Sequence, residues 1–192
     1  MEKQFTPLYR IWHWIMALSV IGLLATVLLR KTFLSWRTNS EIIMNKFQEA
    51  GVEVTTELAK ATAKAIRSGM WEWHYIFGLF LAISILIRIY MLVTKKAEMP
   101  LTKLIKAPKE QKLQYTVYLF LCFFIMMMTL SGGFLYYYEA LGFTKDGIHW
   151  VKEAHELMMW GVVIFVSLHL AGVLKHEFDT KEPIVSKMIH GD

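Results

Sequence analysis

The chain has 192 residues, of which 55% are hydrophobic and only 19% are charged. Because a soluble domain usually carries about 25% charged residues, this composition, with a mean hydropathy of +0.38, excludes a disordered or collagen-like chain. Cys122 is the single cysteine, which excludes an internal disulfide and a cysteine-bound metal cluster. The net charge of +5 does not predict nucleic-acid binding, because most of the basic residues flank long apolar runs.

Four apolar runs are long enough to cross a membrane, which takes about 20 mostly apolar residues. The predicted spans are residues 11–29, 73–94, 117–138 and 150–174, and residues 30–72 form the longest connection. The first run is longer than the hydrophobic part of a signal peptide, and no small-residue cleavage site follows it. The sequence therefore predicts an all-α fold, an integral membrane four-helix bundle that forms one domain over residues 1–192.

Lysines in the short loops predict the orientation of the chain. The connection between the second and third spans holds six lysines and two acids, which favours the cytoplasmic side. Both the N and the C termini are then cytoplasmic, and residues 30–72 lie outside. The seven basic residues of that outer loop argue the other way, but long translocated segments follow the charge rule weakly. Within the loop we expect helices at 41–50 and 55–68, divided by Gly51 and ended by Gly69.

Four histidines lie in the spans at two depths. Because an ionisable side chain is costly to place inside a membrane, a residue of this kind in a span indicates a functional site. His13 and His169 lie toward the cytoplasmic side, whereas His74 and His155 lie toward the outer side. Positions 155 and 169 are fourteen residues apart. On a helix they point within about 40° of the same direction and lie about 21 Å apart along the axis.

Each depth therefore offers two imidazoles from different helices, which suits the two axial positions of a haem iron. We expect two haems b: an inner haem held by His13 and His169, and an outer haem held by His74 and His155. A hydrogen-bonded core or a proton relay is the alternative, and zinc would need further ligands at one level. His149 competes with His155 but does not share the spacing with His169.

Three further residues are candidate haem contacts. Gly78 and Gly172 lie on the helical faces of His74 and His169, where a flat ring needs room. Glycines in spans also serve plain helix packing. Arg88 lies at the depth of the inner haem, where it either pairs with a haem propionate or extends toward the lipid head groups.

Three histidine-bearing segments and the C-terminal tail carry a family resemblance. They are 10–14 (RIWHW), 74–78 (HYIFG) with 88–90 (RIY), 155–160 (HELMMW) continuing to His169, and 184–191 (IVSKMIHG). These segments resemble the b-type cytochrome subunit of membrane-bound nickel–iron hydrogenases, within the bacterial cytochrome b561 superfamily.

The resemblance implies a multi-pass protein of the bacterial inner membrane, surrounded by lipid, that binds haem and transfers electrons between a periplasmic redox partner and the quinone pool. It favours an electron-transfer subunit of an oxidoreductase complex over a self-contained enzyme. A stand-alone superoxide:quinone oxidoreductase of the cytochrome b561 type is the alternative, and a haem-free transporter or anchor is a third class. A homodimer is also left open.

Overall fold

The computed structural model describes residues 5–180 and 183–191, and over these residues it contains helices and no strand. The prediction of an all-α chain with four long apolar helices is confirmed. The helices are α1 (Pro7–Lys31), α2 (Trp36–Glu49), α3 (Thr56–Ile66), α4 (Gly69–Val93), α5 (Pro100–Lys106), α6 (Lys109–Tyr137), α7 (His149–Thr180) and α8 (Ile184–Ile189).

Helices α1, α4, α6 and α7 are long and apolar enough to cross a membrane. They contain 25, 25, 29 and 32 residues, which corresponds to about 37 to 48 Å. Each begins before its predicted span, because polar and aromatic residues of the flanks continue the helix beyond a hydrocarbon core of about 30 Å. Many of their large side chains are exposed, among them Leu79, Phe120 and Leu168, as expected of surfaces that face lipid. The predicted cytoplasmic side of both termini stays a prediction, and residues 1–4 and 192 lie outside the described part of the chain.

The chain divides into two compact units. The smaller unit comprises Met16–Leu81, and the larger unit comprises Met1–Ile15 with Ala82–Asp192. In the smaller unit, α2 packs against α3, and Ala59 and Ala63 of α3 are fully buried. The Thr55 hydroxyl accepts a hydrogen bond from the Leu58 N–H at 3.2 Å and thereby caps the N-terminus of α3.

The predicted role of Gly69 is wrong. Helix α3 ends at Ile66, and Gly69 is the first residue of α4. Ser68 closes the end of α3 instead, because its backbone N–H and its hydroxyl both donate to the Ala65 carbonyl, at 3.1 and 2.7 Å. The connection is thus a two-residue turn that needs no glycine. Gly51 divides α2 from α3 as expected, with φ at +71°, a value that glycine adopts without steric cost.

In the larger unit, α6 packs along α7, α5 lies beside α6, and α8 lies beside α7. A β carbon at Gly161 of α7 would lie 3.2 Å from the Phe124 ring of α6, so this glycine permits close helix packing. The start of α1 is joined to α4 by Trp12, which is buried and donates its indole N–H to the Ser84 carbonyl at 2.8 Å. These contacts position the first histidine of the chain.

Candidate functional site

His13 of α1 and His169 of α7 lie close together in the larger unit. Their ring centroids are 6.3 Å apart and their planes are inclined by 57°. Each ring has an aromatic neighbour: Trp14 meets His13 edge-on at 5.6 Å, and Phe165 stacks on His169 at 5.9 Å. The two histidines that the sequence assigns to one depth are therefore brought together.

The distance between these two rings suits one metal atom between them. A metal–imidazole bond measures about 2 Å, and the ring centre lies about 1 Å behind the ligating nitrogen. Two axial imidazoles on one metal therefore have centroids about 6 Å apart, against 6.3 Å here. Within residues 5–180 and 183–191, no three His, Cys, Asp or Glu side chains gather into a metal-binding group. The pair supplies two nitrogen ligands, so a metal bound here would need its remaining ligands from another group, such as a macrocycle.

His155 of α7 is held by a hydroxyl group of α6. Its Nδ1 lies 2.8 Å from the Ser131 hydroxyl, which itself donates to the Met127 carbonyl at 2.7 Å. A carbonyl can only accept and a hydroxyl has one hydrogen, so both contacts of Ser131 are satisfied together when the His155 Nδ1–H donates to the hydroxyl. The lone pair of the ring is then on Nε2. A metal-ligating histidine has this arrangement, with its second nitrogen hydrogen-bonded to an oxygen.

His74 of α4 shows the same arrangement in the smaller unit. Its Nδ1 lies 2.8 Å from the Thr26 hydroxyl of α1, and that hydroxyl donates to the Leu23 carbonyl at 2.7 Å. By the same reasoning, both contacts of Thr26 are satisfied together when the His74 Nδ1–H donates to the hydroxyl, and the lone pair is then on Nε2. A β carbon at Gly22 would lie 2.7 Å from the Phe77 ring, so the absence of a side chain at Gly22 lets this ring of α4 pack against α1.

The predicted pairing of His74 with His155 joins residues of different units, and it stays a prediction. The rival of His155 has a different environment. His149 lies at the first turn of α7 and forms an exposed pair with Glu153, with 3.5 Å between His149 Nδ1 and the carboxylate. An exposed imidazole beside a carboxylate is typical of a solvated helix end.

The glycines differ in what surrounds them. Among the described residues, no atom comes within 4 Å of a β carbon built at Gly78 or Gly172, so both leave room beside the helix. Gly132 of α6 lies against a histidine: its β carbon would be 3.3 Å from His155 Cε1. Gly132 and Ser131 of α6 thus form the surface that the His155 ring contacts.

Arg88 is an incompletely paired cation in the larger unit. Its Nη2 makes two long contacts, of 3.4 Å to the Tyr118 hydroxyl and 3.5 Å to the Glu98 carbonyl. Its guanidinium lies 5.0 Å from the centre of the Trp12 ring. Its Nη1 is buried and has no hydrogen-bond partner within the described part of the chain. A buried guanidinium nitrogen without an acceptor is suited to bind an anionic group.

A family model described as prokaryotic cytochrome b561 matches residues 4–191. The chain belongs to the prokaryotic cytochrome b561 family. Comparisons with curated proteins and with solved structures found no match. The family and the four apolar helices together make this a multi-pass b-type cytochrome of the bacterial inner membrane. Such a cytochrome binds haem b and transfers electrons to and from redox partners, so the resemblance seen in the sequence is confirmed at the level of the family.

Proposed function

We propose that this b-type cytochrome holds two haems and transfers electrons between a periplasmic redox partner and the membrane quinone pool. The observation that carries the proposal is the 6.3 Å separation of the His13 and His169 rings, which suits bis-histidine ligation of one iron. Haem b, when bound, supplies a one-electron couple whose potential depends on its ligands and surroundings.

His13 and His169 would hold the iron of the inner haem, and their aromatic neighbours would limit the movement of their rings. Arg88 is the propionate partner, because its buried Nη1 lacks a hydrogen-bond acceptor among the described residues. A propionate there would supply both the missing acceptor and the opposite charge. Gly172 leaves space along the His169 helix for the edge of the macrocycle.

For the predicted outer haem, His74 and His155 are the ligands that we infer from the sequence. Their Nδ1–H groups donate to Thr26 and Ser131, which supports Nε2 as the ligating nitrogen of both. His74 and His155 have the same hydrogen-bond arrangement although they lie in different units. This similarity favours a shared role as haem ligands over two unrelated histidines of a helix core. Gly78, one turn after His74, gives the ring the same kind of space that Gly172 gives at the inner haem.

The continuous helix α7 supports a relay with two levels. His155 and His169 lie within His149–Thr180, so their positions differ by about 21 Å along the helix axis. With one haem near each membrane surface, an electron crosses the membrane in short steps from one haem to the other. The family resemblance supports a hydrogenase or a similar dehydrogenase as the periplasmic partner and quinone as the membrane partner.

Haem stoichiometry and redox titration of the purified protein test this proposal. We expect two haems b per polypeptide, two reduction steps, and reoxidation of the reduced protein by a quinone. Co-purification with a hydrogenase-like pair would support the subunit role. Quinone-dependent consumption of superoxide by the isolated polypeptide would instead identify the stand-alone enzyme. A colourless protein, expressed with ample haem supply, would contradict both.

A further inference from the structure

The last helix of the chain is capped by side chains of the first. The final carbonyls of a helix have no donor within the helix. At the end of α8, Arg10 donates from Nη1 to the Ile189 carbonyl at 3.0 Å, and Trp14 donates from Nε1 to the Met188 carbonyl at 3.2 Å. Arg10 and Trp14 are four residues apart and lie on one face of α1. The positive charge of Arg10 also suits the negative end of the α8 dipole.

Gly191 completes this contact. Its φ is +89°, and a β carbon there would lie 2.6 Å from Arg10 Nη1 and 2.7 Å from Cζ. Two features therefore favour glycine over other residues at position 191: the positive φ angle and the closeness of the Arg10 guanidinium. The Gly191 N–H donates to the Lys187 carbonyl at 3.0 Å, which continues the hydrogen bonding of α8 to the end of the tail.

The contact lies beside His13. Arg10 and Trp14 flank this histidine in the sequence, and the Trp14 ring touches it edge-on. Trp14 therefore contacts the His13 ring and the Met188 carbonyl with the same indole. Helix α8 also packs against α7, the helix that carries His169. The tail thereby joins the helices of the two imidazoles that lie 6.3 Å apart.

We propose that residues 184–191, held by Arg10 and Trp14, form a C-terminal clasp that positions His13 opposite His169. This inference rests on the proposed function, since it assigns the clasp to the inner haem. Arg10, Trp14 and Gly191 are positioning residues that act through His13. A helix of six residues is unstable alone, so α8 depends on its docking, and loss of one donor should release it.

The docking is tested by hydrogen exchange of the full-length protein in lipid nanodiscs. We expect the amides of residues 187–191 to be protected in the wild type and to exchange about tenfold faster in Trp14→Phe, which keeps an aromatic side chain and removes the N–H donor. Gly191→Ala should have a similar effect. Two matched controls should leave the tail protected: Trp160→Phe, at an exposed tryptophan, and Gly142→Ala, where φ is +80° but no described atom lies within 4 Å of the added carbon.

The positioning role is tested by redox titration and ferric EPR of the same variants. The inner haem is identified as the one lost in His169→Ala. In Trp14→Phe and Gly191→Ala we expect a shifted potential and altered g values for that haem alone, because these depend on how the axial rings are held. Rapid tail exchange with unchanged inner-haem spectra would overturn the positioning role, and a tail protected in every variant would overturn the clasp. A colourless wild type would refute the proposed function before any variant is compared.

Discussion

The histidines near the two predicted membrane surfaces are held by different kinds of contact. His74 and His155 each have a hydrogen bond between Nδ1 and a hydroxyl on a neighbouring helix, and Trp71 also meets His74 edge-on at 5.8 Å. His13 and His169 lie against aromatic rings. A ring contact limits where an imidazole lies, and a hydrogen bond also fixes which nitrogen carries the proton. The outer ligands should therefore respond to the loss of a small polar group, and the inner ligands to changes in packing and in the tail.

The largest expected effect is the loss of one haem when one ligand is removed. His169→Ala should halve the haem content and abolish one reduction step, and His155→Ala should abolish the other, because one remaining imidazole cannot provide both axial ligands. Pyridine haemochrome assays and redox titration measure this. His149→Ala is the matched control, since His149 is exposed and paired with Glu153. Loss of the same reduction step in both ligand variants would contradict the division into two sites.

Removing the hydroxyl acceptors should weaken only the outer haem. In Ser131→Ala and Thr26→Val, we expect the affinity for that haem to fall by about 10- to 100-fold, the usual cost of losing the partner of a metal-ligating histidine. Haem transfer to an acceptor protein measures the change. Thr129→Val serves as the control in α6, because the Thr129 hydroxyl donates to the Ile125 carbonyl of its own helix. Equal weakening of both haems would show that the hydroxyls act through general stability.

A smaller effect is expected at Arg88, whose charge should favour the reduced state of the inner haem. Arg88→Gln should lower the midpoint potential of that haem by on the order of 60 mV, which is a tenfold change for a one-electron couple. Arg88→Lys should retain most of the potential, because it keeps the charge. Redox titration at low and moderate salt measures the midpoint potential of each haem separately. An unchanged inner potential in Arg88→Gln would exclude the propionate contact and favour an arginine that only extends toward the head groups.

The helices were predictable from composition, because long apolar runs can satisfy their backbone in a membrane only as helices or closed barrels. The meeting of His13 with His169 was predictable because both lie toward the same predicted side of the membrane, and the fourteen residues between His155 and His169 return a side chain to nearly the same face of one helix. The connection at Gly69 was not predictable in this way. Ser68, rather than the glycine, closes α3, and a serine before a glycine gives no sign of which residue ends the helix.

The hydroxyl partners Thr26 and Ser131 were also missed, for a physical reason. Serine and threonine are common in spans, where they bond to the backbone of their own helix, as Thr129 and Ser167 do here. Only packing between helices brings Thr26 and Ser131 to a histidine. The same holds for the tail, because nothing in residues 184–191 shows that Arg10 and Trp14 cap their carbonyls.

The smallest expected effect compares two adjacent glycines of α6. A β carbon at Gly132 would lie 3.3 Å from His155 Cε1, whereas at Gly133 no described atom lies within 4 Å. Gly132→Ala should therefore move the His155 ring by a few tenths of an ångström, strain its hydrogen bond to Ser131 and shift the g values of the outer haem without loss of haem. Gly133→Ala should leave the spectrum unchanged. Because both substitutions add one methyl group to the same helix, a difference between them in ferric EPR reports the contact with His155 and not helix propensity. Identical spectra would mean that the ring is held by its hydrogen bond alone, which would strengthen the contrast with the ring-packed inner pair.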